Sequence, residues 1–215
     1  MNMRLIVIIA AILSLVPGFV YFERKKPGAR WIVLLTVLTA LAVAGRAAFF
    51  MVPFFKPVLA FAIIAGMALG PNAGFVVGSM TALVSNFIFG QGPWTVFQMI
   101  AWGLVGLIAG LLFARHPAMG KTPVMMIYGF ISAFLIHGVI TDLWTIFFLN
   151  DHPTPGTVLS VYGAALVPDA ILGGATAFFL LILGKPIVKK IERIKMKYGM
   201  EEQHGETEIW QDGAA

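Results

Sequence analysis

The sequence predicts an all-α, polytopic integral membrane bundle, and three observations carry that expectation. The first is composition: 59% of residues are hydrophobic and 12% charged, with a mean hydropathy of +0.89, whereas soluble proteins are about 25% charged. The second is pattern. Nearly uncharged runs recur along the chain, each reaching the roughly 18–20 residues that cross about 30 Å of hydrocarbon. The third is the clustering of Lys and Arg at the ends of those runs. At 215 residues the chain accommodates one membrane domain and no folded soluble catalytic domain beside it.

The runs divide into seven spans, at 4–22, 31–51, 56–69, 73–89, 95–114, 122–148 and 158–184. The first has the length of a span, lacks a small-residue cleavage site and is followed by Glu23-Arg24-Lys25-Lys26, so it reads as a helix rather than a signal peptide. Pro57 opens the third, a favoured first-turn position, and Gly70-Pro71-Asn72 ends it. The segment from Asn150 to Pro155 separates the last two. Three parts are expected: an additional N-terminal helix and basic loop at 1–30, a six-helix membrane domain at 31–184, and a basic then acidic tail at 185–215.

Positive charge sets the orientation. Arg24, Lys25, Lys26 and Arg30 follow the first span, and Arg115 and Lys121 follow the fifth. Lys185, Lys189, Lys190, Arg193, Lys195 and Lys197 follow the seventh. Alternating crossings put all three clusters on one side, the cytoplasm, with the C-terminus inside and the N-terminus outside. Because the charge of +5 lies at helix ends, it points to membrane lipid and not to nucleic acid. Ile187, Ile191 and Ile194 recur at helical spacing among the basic residues, so 186–198 is expected along the anionic leaflet or, equally, as a plain stop-transfer tail. Residues 200–215, with four glutamates, read as a solvated tail.

The fourth span ends at Phe89, and Gly90-Gln91-Gly92-Pro93 interrupts the chain before Trp94, Gln98 and Trp102. These last three, at i, i+4 and i+8, share one helical face within about 80°. Gly103, Gly106 and Gly110 form a smooth face roughly opposite, suited to close helix packing. Gly90 and Gly92 permit backbone conformations closed to other residues, and Pro93 presets the entry into the fifth helix. Other polar residues that are expensive in a membrane lie at similar outer depth: Arg46, Lys56, Asn86, His137, Asp142, and Asp169 after a break at Pro168. With Gln91, Trp94, Gln98 and Trp102 they are the candidate substrate-binding residues. The alternatives are an Arg46–Asp salt bridge that staples helices, and interhelical hydrogen bonds for Asn86 and His137.

Several classes are disfavoured. Cysteine is absent, which removes thiolate nucleophiles and thiolate metal sites. His116, His137, His152 and His204 show no metal-ligand spacing, and no His-Glu-x-x-His or Gly-x-Ser-x-Gly motif occurs. The 115–122 stretch ends like a phosphate-binding loop but has Arg115 in the first glycine position. No catalytic residue, metal or cofactor is expected.

The runs Ala44-Gly-Arg-Ala-Ala-Phe-Phe50, Phe55-Lys-Pro57, Gly66-Met-Ala-Leu-Gly-Pro71, Ser85-Asn-Phe-Ile-Phe-Gly-Gln-Gly-Pro-Trp-Thr95 and Gln98-Met99 resemble the substrate-binding S components of energy-coupling factor transporters. The Phe89–Thr95 run is similar to the subgroup associated with cobalamin uptake. The resemblance covers residues 31–184 and implies a non-enzymatic subunit of a bacterial inner-membrane importer. Such a subunit captures a vitamin, here a corrinoid, from outside. It delivers it by docking on an energising module of two ATPases and one coupling membrane protein. The resemblance also implies docking through small residues, here Ala40, Ala44 and Ala48 on the second span, with Arg46 roughly opposite. The first span departs from the six-helix pattern. Two other functions remain open: a stand-alone secondary transporter or channel, coupled through Asp142 and Asp169, and an intramembrane enzyme.

Overall fold

The computed structural model describes residues 3–115, 120–149 and 153–200, and every regular element among them is helical. The expected tail at 201–215, His116 and His152 lie outside these residues. The helices are α1 (Met3–Arg24), α2 (Ala29–Ala48), α3 (Val58–Leu69), α4 (Pro71–Phe89), α5 (Trp94–Arg115), α6 (Thr122–Ser132), α7 (Val139–Leu149), α8 (Pro155–Phe179) and α9 (Lys185–Lys197). A π-helical turn, Ala133–Gly138, fuses α6 to α7, and another, Leu180–Gly184, fuses α8 to α9. Among the described residues six continuous helices are thereby long and apolar enough to cross a membrane, with α3 a shorter apolar helix. The chain is an all-α, multi-pass membrane bundle.

The centre of the bundle is α3. Its twelve residues rise only about 18 Å, less than the hydrocarbon thickness, yet eleven of them are buried. Protein surrounds it, so it needs no lipid-facing length. Gly70, at φ +91°, reverses the chain directly into α4, a conformation that L side chains rarely adopt. Glycines then bring three backbones together. A Cβ at Gly66 or Gly74 would overlap the Gly106 carbonyl, and one at Gly110 would meet Pro71 Cα at 2.5 Å. Gly106 and Gly110 thus form the expected smooth face of α5, and α3 and α4 occupy it.

Helix α1 lies against this compact side. Gly18 leaves space for the Phe75 ring of α4, and Phe19 meets that ring edge-on at 5.6 Å. On α2, Trp31, Leu35, Leu38, Ala42 and Val43 are buried. Ala40, Ala44 and Ala48 project from the other side and are exposed.

Two sequence expectations are corrected. The helix does not break at Pro168; α8 runs through it. Residues 186–197 prolong α8 into one helix, Pro155–Lys197, which accords with the tail alternative and not with a detached surface segment. The isoleucine stripe explains this, because Ile191 is buried and Ile187 and Ile194 pack against the core. Arg30 Nη1 donates to the Tyr198 carbonyl at 2.6 Å, and Lys195 Nζ lies 6.0 Å from the Trp31 ring. The first and last basic clusters therefore meet at one end of the bundle.

Candidate ligand cavity

The polar residues around the α4–α5 turn bind one another. Asn86, almost fully buried, donates through Nδ2 to Gln98 Oε1 at 2.7 Å and to Thr95 Oγ1 at 2.9 Å. Thr95 Oγ1 donates to Gln91 Oε1 at 2.8 Å, and Gln91 Nε2 donates to the Leu83 carbonyl at 3.2 Å. Both glutamines thus buckle the end of α4 to the start of α5. Gly90 turns the chain at φ +112°. Gly92 does not use a left-handed conformation as expected; its missing Cβ makes room for the Trp94 ring.

Arg46 joins α2 to this network. Its Nη1 donates to Ser85 Oγ, and to Asn86 Oδ1 at 2.8 Å. The guanidinium lies 4.9 Å from the Phe89 ring and 5.4 Å from the Trp102 ring. The alternative of an Arg46–Asp staple is corrected: the partners are a hydroxyl, an amide and two aromatic faces. Lys56 caps α2 instead, donating to the carbonyls of Phe49 at 2.7 Å, Val52 at 2.9 Å and Phe50 at 3.3 Å. Those three bonds match the three ammonium protons.

The Trp94–Gln98–Trp102 stripe is divided by its partners. Trp94 meets Trp144 edge-on at 5.8 Å, and Trp144 stacks on Phe148 at 4.2 Å. Trp102 is buried, and its Nε1 donates to His137 Nδ1 at 3.1 Å. A ring nitrogen that accepts carries no proton, so the remaining N–H of His137 is on Nε2. The interhelical hydrogen bonds weighed for Asn86 and His137 are both present.

Beyond His137 an open cavity of about 450 Å³ lies between the α6–α7 span and α8. It unites three of the candidate residues, His137, Asp142 and Asp169, which are separated in sequence. Thr141, Thr145, Ser160 and Phe54 also line it. These four are not among the candidates from the sequence, although His137, Thr141 and Thr145 recur at i, i+4 and i+8, the same spacing as the tryptophan stripe. Gly138 seats Asp169 against the π-helical turn, since a Cβ there would overlap Asp169 Oδ2. Asp142 Oδ2 is buried without a hydrogen-bond partner among the described residues. Pro168, also in the lining, has no N–H to give the Ala164 carbonyl one turn back.

A multi-pass helical bundle thus holds, between two spans, a mostly apolar cavity with a few converging polar groups, the usual make-up of a small-molecule site. Residues 26–193 match the family model described as the ECF-type riboflavin transporter S component. The chain belongs to this family, which is one of transporters. The match leaves α1 outside it. No solved structure matches the chain.

Proposed function

We propose that the chain is the substrate-capture subunit of an energy-coupling factor importer and that the α7–α8 cavity holds a riboflavin-type vitamin. One observation carries this reading: a family match over most of the chain coincides with a cavity of about 450 Å³, within the roughly 300–1,000 Å³ of small-molecule sites. A tricyclic vitamin fits such a volume, whereas a corrinoid is several times larger. Size and the family description therefore favour riboflavin over cobalamin, despite the Gly90–Pro93 run. The cavity adjoins His137 and Phe54, with the Arg46 network behind Trp102.

In this reading the cavity opens outside the bacterial plasma membrane and the joined basic clusters face the cytoplasm, following the positive-inside rule. Delivery proceeds by docking on a module of two ATPases and a coupling membrane protein. The exposed Ala40, Ala44 and Ala48 form the docking face, and α1 packs on α4 and α5, away from it. Residues 1–30 are an addition to the six-helix unit. Isothermal titration of the full chain with riboflavin and cobalamin tests the ligand, and co-purification with the ATPases tests the partners. Tight cobalamin binding without riboflavin binding would reverse the ligand assignment.

One observation favours a second reading. Asp142 and Asp169 face the same cavity, as the carboxylates of an ion-coupled secondary transporter would. Uptake in proteoliposomes that contain this chain alone, driven by a proton or sodium gradient, would select it.

A further inference from the structure

The basic clusters that meet at one end of the bundle bring little countercharge with them. The α1–α2 turn carries Arg24, Lys25, Lys26 and Arg30, and α9 carries six more Lys and Arg residues. Against these, residues 23–30 and 185–197 hold two carboxylates, Glu23 and Glu192. The fold draws the two sets together. Arg30 Nη1 donates to the Tyr198 carbonyl, and its guanidinium lies 5.7 Å from the Tyr198 ring. Lys197 Nζ is 5.5 Å from that same ring, and Lys195 Nζ is 6.0 Å from the ring of Trp31, next to Arg30. Such charges lie within the screening length of about 8–10 Å. Their mutual repulsion weakens the compact state unless an anion joins them.

A narrow cleft opens at this end between α1, α2 and the α3–α4 junction. Its walls include Phe22 and Lys25 of α1, Trp31 and Leu35 of α2, and Asn72 of α4. At about 10 Å³ it has room for little more than one water, so a ligand meets it at the mouth. There the exposed Lys25 follows Tyr21 by one helical turn, its Nζ 5.4 Å from that ring. Apolar surface lies at the same level: Tyr21 is 47% exposed, Ile32 50% and Val33 61%. Positive charge directly beside lipid-facing apolar side chains fits an amphiphile with an anionic head. A wholly polar anion would use the cations and leave the apolar surface aside.

We propose that one anionic phospholipid of the leaflet at this end seats its headgroup phosphate between Lys25 and Arg30, with its chains against Tyr21, Ile32 and Val33. Arg30 keeps donors for it, because a guanidinium has five N–H groups and the Tyr198 carbonyl takes one. The role of this lipid is structural. No more than 11% of an 18-residue window of α1 is buried, and α1 lies outside the family match, so protein contacts hold this helix lightly. A phosphate shared by Lys25 of α1 and Arg30 of α2, with Arg30 fastened to the end of α9, ties the added helix to the six-helix unit. The site lies at the opposite end of α2 from Phe54 and the cavity, and it stands whatever ligand the cavity takes.

The test is native mass spectrometry of the full chain, stripped of lipid in detergent and titrated separately with phosphatidylglycerol and phosphatidylcholine. One phosphatidylglycerol should be retained at least about tenfold more tightly than phosphatidylcholine. It should raise the unfolding temperature, and inorganic phosphate at the same concentration should not. A basic residue beside a membrane surface is worth about fivefold in anionic-lipid binding, so Lys25→Gln and Arg30→Gln should each weaken retention by that factor. Lys121→Gln removes a cation at the same end, before α6, and should leave retention within about twofold. Equal retention of both lipids, or an equal loss in all three variants, shows diffuse charge attraction and overturns the site. Stabilisation by inorganic phosphate as great as by phosphatidylglycerol overturns the lipid assignment. If no phosphatidylglycerol is retained, another anion, such as the carboxylates of residues 201–215, serves the patch and the proposal fails. The wild-type lipid preference decides the matter even if a variant does not fold.

Discussion

The α3–α4–α5 side of the bundle and the α7–α8 side handle polar groups at similar positions along their helices in opposite ways. On the first side, 61% of an 18-residue window of α4 and 56% of one of α5 are buried, and the amides, hydroxyls and guanidinium satisfy one another. On the second, the share of such a window falls to 28% within Thr122–Phe148 and 33% within Pro155–Lys197. There a carboxyl oxygen has no partner among the described residues, beside an open cavity. A buried polar group without a partner costs about 1–3 kcal/mol, and it persists where a ligand supplies the missing bond. Polarity inside a membrane therefore takes two different forms here, a staple and the proposed site. Hydrogen-bond satisfaction separates them.

The comparison breaks most visibly at the glycines. Gly106→Leu would push a side chain into the Gly74 carbonyl and should destabilise the fold by about 3 kcal/mol or more. The expected result is loss of monodisperse protein on size exclusion. Arg46→Met is next. It removes a charged donor from Ser85 and Asn86 and a cation from two aromatic faces, so a loss of about 2–3 kcal/mol is expected, read as a lowered unfolding temperature. Lys at this position should restore only part of it, because an ammonium cannot reproduce the planar fork. Gln98→Ala leaves one Asn86 N–H bond unmade, while the bond to Thr95 remains. About 1 kcal/mol of stability should be lost, with riboflavin affinity changing less than twofold. Ala44→Leu is the smallest perturbation of the fold. The residue is exposed, so stability should stay within about 0.5 kcal/mol. ATP-driven uptake should nevertheless stop, because the added bulk roughens the proposed docking face.

Much of this was legible in the sequence, for physical reasons that differ by element. Membrane spans declare themselves by hydropathy, and every expected span has a helix in the bundle. The glycine face of α5 was legible because close packing requires small residues at helical spacing. The burial of α3 on all sides was not, since a short apolar helix reads alike in lipid and in protein. Nor was the continuity of α8 and α9. Basic residues with an isoleucine stripe suit either a surface helix or the end of a long one, and only the contact of Ile191 with the core distinguishes them. At the site, His137, Asp142 and Asp169 stood out as expensive residues. Thr141, Thr145 and Ser160 did not, because hydroxyls are cheap in helices, where they can bond the preceding turn. The tryptophan–glutamine stripe shows the converse limit. Spacing identified a shared face, but partners on α4 and α7, unknowable from one segment, determine what that face touches.

The central claim is that the ligand site lies at the α7–α8 cavity and not at the α4–α5 network. The most direct measurement pairs Asp169→Asn with Gln98→Ala, reading riboflavin affinity by titration and unfolding temperature for each. For Asp169→Asn the predicted result is an affinity loss of about tenfold or more, with little change in unfolding temperature. For Gln98→Ala it is wild-type affinity with unfolding lowered by about 2–4 °C, the shift that 1 kcal/mol gives in a chain of this size. The reverse pattern, in which Gln98→Ala abolishes binding and Asp169→Asn leaves it intact, would contradict the account and move the site to the α4–α5 turn.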